Sequence, residues 1–143
     1  MSEVIISNYE IPQAHKVMAR LATERLEVGV SVKWLATKVA TKLEELIKLL
    51  GKSESDLMKK YAKLDESGEF IPAKDKEDKD IPNTWVFADA SDESKQAFGK
   101  EHQELMEAKN TLVFDKIKLD RLEKTDFTGV ELMAIQFIID ADA

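Results

Sequence analysis

Apolar positions fall into strand-like and helical patterns from the start of the chain. Val4-Ile5-Ile6 is a short apolar run, fit for a strand or an anchoring tail. Beyond Ser7-Asn8, Pro12 suits the first turn of a helix, where its missing N–H costs nothing. Ile11, Ala14, Val17, Met18 and Leu21 recur at steps of three and four and predict a first helix over about residues 11–25. Leu26 to Val30 alternates but contains Gly29, and reads as an extended connector.

The longest periodic stretch follows. With Ser31 as N-cap, Val32, Leu35, Val39, Leu43, Leu46, Leu50, Leu57 and Tyr61 step by three, four or seven. At ~100° per residue they form a seam roughly 80° wide. The predicted helix covers 31–62 and is ~48 Å long at the α-helical rise. Gly51 is its weak point, and Ser53 with Asp56 could cap a second piece there. The seam keeps its phase through Leu57 and Tyr61, which favours an unbroken or merely kinked helix.

Residues 63–84 change character. Asp65-Glu66-Ser67-Gly68 is turn chemistry, Phe70-Ile71-Pro72 is briefly apolar, and Lys74 to Asp80 is a charge run. A long exposed loop is expected, or an irregular hairpin with Trp85-Val86-Phe87 as its second arm. Asp89 or Ser91 then starts a helix with the stripe Ala97, Phe98, Leu105 and Met106, ending near Asn110. Leu112 to Leu119 reads as a strand with Val113, Ile117 and Leu119 on one face. Thr128 and Glu131 form a capping box for a last helix through Leu132, Met133, Ile135, Phe137, Ile138 and Ile139. No internal repeat shows in this pattern.

These elements predict a single mostly helical α+β domain over 1–143: helical over 11–62, an exposed loop over 63–84, and an acidic helix–strand–helix over 85–143. The first helix should pack against the long one as an antiparallel pair, with a small β element and two further helices behind them. The expected sheet uses Val113–Leu119 with Val4–Ile6 or Trp85–Phe87. The expected core is Val17, Leu21, Leu35, Val39, Leu43, Leu46, Leu50, Phe98, Leu105, Ile117, Leu132, Ile135 and Phe137.

Composition narrows the chemistry. Cysteine is absent from the 143 residues, which removes disulfides, thiolate zinc sites and a cysteine nucleophile. No apolar run approaches the ~18 residues of a membrane span, and Met-Ser-Glu-Val does not open a signal peptide. The net charge is −7. Residues 11–64 carry 11 basic and 6 acidic side chains, whereas 65–143 carry 10 and 20. The simplest reading is that the halves complement each other; the sharper one is that a half presents its charge to a partner.

Catalytic and metal motifs fail on inspection. Gly51-Lys52-Ser53 resembles the tail of a phosphate loop, but Leu46 stands where the earlier glycine is needed. Asp75 to Asp80 lacks the spacing of a calcium loop, and Pro82 breaks it. His102, between Glu101 and Glu104, reads as a solvated side chain, and His15 has no companion at ligand spacing. No Gly-x-Ser-x-Gly elbow exists. The expectation is a non-enzyme without metal or cofactor.

One constellation remains. Lys38, Lys42, Lys48, Lys52, Lys59, Lys60 and Lys63 share a sector of roughly 120° opposite the seam, with Trp34 inside it. The preferred reading is a solvated lysine face with Trp34 covered by the first helix. The functional reading is a basic stripe with an aromatic anchor, suited to an acidic protein surface or a nucleic-acid backbone, with Trp34, Lys38, Lys42 and Lys52 as candidate partner-binding residues. The charge of −7 and the lack of Arg on that face argue against nucleic acid.

The order of elements also resembles a widespread set of short bacteriophage proteins of unknown function. It is carried by Lys60-Tyr61-Ala62, Leu64-Asp65-Glu66-Ser67-Gly68, Phe98-x-x-Glu101-x-x-Glu104-Leu105, the run Ile117 to Leu122, and Thr128-Gly129-Val130-Glu131-Leu132. It spans roughly residues 10–140 and carries no catalytic residues to transfer. The resemblance implies a viral origin, and a host cytoplasm or virion as the working environment. The expected function is a phage protein acting by protein–protein contacts, as a virion component or assembly factor and possible homo-oligomer. Alternatives are a soluble inhibitor of a host enzyme or defence complex acting through its acidic half, or a replication or recombination accessory.

Overall fold

A computed structural model describes residues 1–24 and 27–140, so the predicted helix end at Arg25 and Leu26 of the connector lie outside the described residues. The elements are β1 (Ser2–Ser7), α1 (Ile11–Thr23), α2 (Val30–Tyr61), α3 (Asp92–Glu107), β2 (Lys109–Phe114), β3 (Ile117–Lys118), α4 (Gly129–Ala134) and β4 (Ile139–Asp140). The fold is mostly helical α+β, 56% helical with short strands in small sheets. The chain forms two compact units, residues 1–49 with 107–143 and residues 50–106.

In the first unit the apolar stripe of α1 is buried throughout, at Ile11, Ala14, Val17, Met18 and Leu21. From the first half of α2, Val32, Ala36, Val39, Ala40 and Leu43 join the same core, with Leu35 and Leu46 only partly buried. β1 pairs with β2 in antiparallel register, which places Val4 opposite Leu112, both buried. Val113 and Leu119 therefore do not face the core with Ile117 as their spacing suggested: they are 56% and 42% exposed. The strand ends at Phe114 and resumes at Ile117, so the interruption at Asp115-Lys116 resets the alternation between Val113 and Ile117, and Leu119 opens a 3-10 turn over Leu119–Leu122 instead of continuing the strand.

The capping box at Thr128 forms as expected: the Glu131 N–H donates to Thr128 Oγ1 at 3.2 Å and the Thr128 N–H to Glu131 Oε1 at 3.1 Å. The helix it opens is shorter than expected. Ile135 leaves helical geometry (φ −113°, ψ 16°), and a 3-10 turn over Gln136–Ile138 leads into β4, which pairs parallel with β3. β-Branched Ile135, Ile138 and Ile139 suit that departure. Ile135 and Ile138 are fully buried, whereas Leu132 and Phe137 only pack on the core's edge.

In the second unit α2 continues unbroken past Gly51, and Ser53 lies inside the helix rather than capping a new one. Leu50 is buried there. The expected loop over 63–84 is shaped by two successive copies of one turn. Asp65 Oδ1 accepts from the N–H groups of Ser67 and Glu69 (2.8 and 3.0 Å), and Asp75 Oδ1 from those of Glu77 and Lys79 (2.8 and 2.9 Å). Gly68 (φ 79°) and Asp78 (φ 62°) take the left-handed position in each. This ten-residue repeat is one of turn geometry, which the apolar pattern does not display. Trp85–Phe87 is an arm as anticipated, with Lys63 N–H donating to Val86 O and Ala88 N–H to Tyr61 O. α3 ends at Glu107, and Asn110 belongs to β2. No residue of α3 is fully buried, so Phe98 and Leu105 are half-buried rather than core. Phe98 instead centres an aromatic cluster, 5.2 Å from Trp85, 5.6 Å from Tyr61 and 5.8 Å from Phe87 between ring centroids.

Candidate cationic groove beside Trp34

The start of α2 sets the orientation of Trp34. Lys33 N–H donates to Gly29 O at 3.2 Å, and Gly29 holds φ at +84°, so the helix begins at Val30 and Ser31 is not its cap. Val32, Ala36 and Val39 then face the core, which turns Trp34 outward. Trp34 is 62% exposed, so the first helix does not cover it. The reason lies in α1, whose apolar stripe is already buried and whose polar face is tied to the segment around α4. Arg20 donates from Nε to Glu24 (2.9 Å), from Nη1 to Glu131 (2.8 Å) and from Nη2 to Asp126, with its guanidinium 4.9 Å from the Phe127 ring centre. Three carboxylates raise the Arg20 pKa further. The Thr128 N–H first, and Arg20 after it, hold the Glu131 carboxyl below the usual carboxylate range.

Trp34 borders a groove of about 330 Å³ within the first unit. Its apolar lining is Val32, Leu35 and Ile117, and Lys38 Nζ sits 5.8 Å from the centre of the Trp34 ring. Lys116, Lys118 and Arg121 also line the groove. Among the described residues none of these four cations forms an ion pair. The one acid in the lining, Asp115, lies 3.4 Å from the amino group of Met1. Ser31 completes the lining. The chemistry on offer is recognition: positive charge, unpaired among the described residues, beside an aromatic face and half-buried Leu35.

The predicted site residues separate. Trp34 and Lys38 line the groove; Lys42 does not, and lies 3.5 Å from Glu45. Lys52 is exposed, belongs to the second unit and does not line the groove. The rest of the lysine stripe is partly neutralised, Lys48 by Glu44 at 3.8 Å and Lys60 by Glu101 at 2.8 Å. The basic groove residues missing from the sequence reading are Lys116, Lys118 and Arg121, which sit in the acidic half of the chain. A signal existed: Lys116 and Lys118 flank inward Ile117 with strand alternation.

His102 is not the solvated side chain expected. It stacks on Phe98 at 5.8 Å and lies 3.7 Å from Glu54. Hydrogen bonds from Lys60 and then Tyr61 hold the Glu101 carboxyl below its ordinary value. A broader depression of about 520 Å³ is lined by Ser7, Glu10, Glu107 and Lys109 with the Tyr9 ring, and Ser7 and Glu10 are bound to each other in it. Among the described residues no three His, Asp or Glu side chains are grouped to hold a metal, and no helix is long and apolar enough to cross a membrane.

The chain matches no family model and shows no significant similarity to a curated protein or a solved structure.

Proposed function

We propose that this chain is a non-enzymatic bacteriophage protein that acts through protein–protein contacts, as a virion component or assembly factor. The observation that carries the binding role is Trp34, 62% exposed beside four cations that form no ion pair among the described residues. Trp burial removes well over ~100 Å² of apolar surface from water, and Trp and Arg are the residues that most often anchor interfaces. The viral setting, in a host cytoplasm or a virion, rests on the resemblance to short phage proteins.

A photo-crosslinking amino acid placed at position 34, in cells producing the particles, tests this reading. The expected result is a covalent adduct with a virion protein, absent when the same amino acid replaces Leu49, which is comparably exposed at 61%. An adduct with a host enzyme instead would favour the inhibitor alternative. No adduct at position 34 would remove the support for a binding role.

A further inference from the structure

We infer that the Trp34 groove takes an acidic peptide segment that also carries an aliphatic side chain; this rests on the protein–protein reading above. Lys38, Lys116, Lys118 and Arg121 line the groove together with apolar surface supplied by Trp34, 62% exposed, and half-buried Leu35, whereas Val32 and Ile117 are only 7% and 2% exposed. A ligand must therefore present negative charge and an apolar group within one small groove. A peptide does so with neighbouring side chains. A nucleic-acid strand brings phosphates and a base face, but nothing aliphatic for that apolar surface.

Charge favours the same occupant. Strand binding gains affinity in proportion to the phosphates neutralised, and four cations are few for a chain with net charge −7. Three of the four are Lys, which meets a carboxylate as a point charge. The single Arg121 supplies the one planar fork for a two-pronged carboxylate contact. Arg121 also borders a second depression with Glu27, Asp120, Glu123 and Lys124, where Glu27 lies 3.5 Å from Lys124 and, among the described residues, no acid pairs with Arg121. Among the described residues the Arg121 guanidinium is therefore open to an incoming carboxylate. Lys38, set against the Trp34 face, keeps a positive charge beside the ring on which the segment would rest.

The test uses the full chain with Trp85→Phe, so that all tryptophan emission comes from Trp34. Three probes are titrated: a short peptide of Asp and Glu around one Leu, the same peptide with Lys in place of the acids, and a thymidine oligonucleotide. The acidic peptide should bind at least tenfold more tightly than either other probe and weaken as salt is raised. Replacing its Leu by Gly should weaken binding severalfold. Lys118→Gln with Arg121→Gln should weaken it at least tenfold, while Lys42→Gln, outside the groove, should leave it unchanged; circular dichroism checks that each variant is folded. Tighter binding of the oligonucleotide, equal binding of the Lys peptide, or no binding of any probe would overturn the inference. So would concentration-dependent self-association abolished by the same two substitutions, which would make a second copy the occupant. A virion adduct at position 34 without acidic-peptide binding would sink this inference alone. Absence of the adduct would sink the broader reading.

Discussion

Leu43→Ala should destabilise the first unit by about 3–4 kcal/mol. Leu43 is fully buried on α2, in one core with Val39, Met18 and Leu21. Truncation removes three carbons, worth about 2.4 kcal/mol at ~0.8 kcal/mol per methylene. A residual cavity of ~50 Å³ adds about 1.2 kcal/mol at ~24 cal/mol per Å³. Leu49, six residues along the same helix, is 61% exposed. Leu49→Ala should therefore cost below about 1 kcal/mol. Urea unfolding followed by far-UV circular dichroism measures both, with Trp85 fluorescence in a Trp34→Phe background reporting the second unit separately because two compact units need not unfold in one step. A cost below about 1 kcal/mol at Leu43, or equal costs at the two leucines, would refute the burial assigned to this helix.

Gly51 lies mid-helix and a Cβ there would meet nothing within 4 Å, so Gly51→Ala should stabilise by about 0.5–1 kcal/mol in the same urea assay, and a loss would mean the helix breaks there. Gly29→Ala should instead destabilise, because its φ of +84° is strained for any side chain. Phe98→Ala should cost about 2–3 kcal/mol, less than a fully buried phenylalanine, and red-shift Trp85 emission in a Trp34→Phe background; unchanged emission would contradict the ring cluster. Glu101 and Glu131 bind protons less readily folded than unfolded, so their contribution is present above the usual Glu value of 4.5 and is lost as pH falls below it. Arg20→Met should make that acid-side loss of melting temperature shallower, and an unchanged slope would show that Arg20 does not hold Glu131 charged.

Helices were legible where apolar spacing and local chemistry agree. The α1 stripe, the unbroken α2 and the Thr128 capping box depend on neighbours three or four residues away, and all three form. Strand phase was less legible, because it depends on pairing across the chain: only the Val4–Leu112 register shows that Leu112 is inside and Val113 outside. The last helix fails at Ile135 for a similar reason, since β4 pairs with β3 and helical spacing cannot register that competition. The helix wheel sets Trp34 opposite the apolar seam, where it is exposed, but nothing in that wheel shows that α1 leaves it uncovered. α1 is near in sequence, but its Arg20 and its apolar stripe are engaged elsewhere, which spacing along the chain does not register. Half the groove was hidden because averaging charge over an acidic half masks three local cations.

The central claim is that Trp34 stands open in a cationic groove on the folded chain. Quenching of Trp34 emission in a Trp85→Phe background, by iodide and by caesium at equal ionic strength, tests it directly. Red-shifted emission quenched more strongly by iodide is the predicted result, because Lys38, Lys116, Lys118 and Arg121 concentrate anions at the ring despite the net charge of −7. Blue-shifted emission that resists both ions, or stronger quenching by caesium, would contradict it.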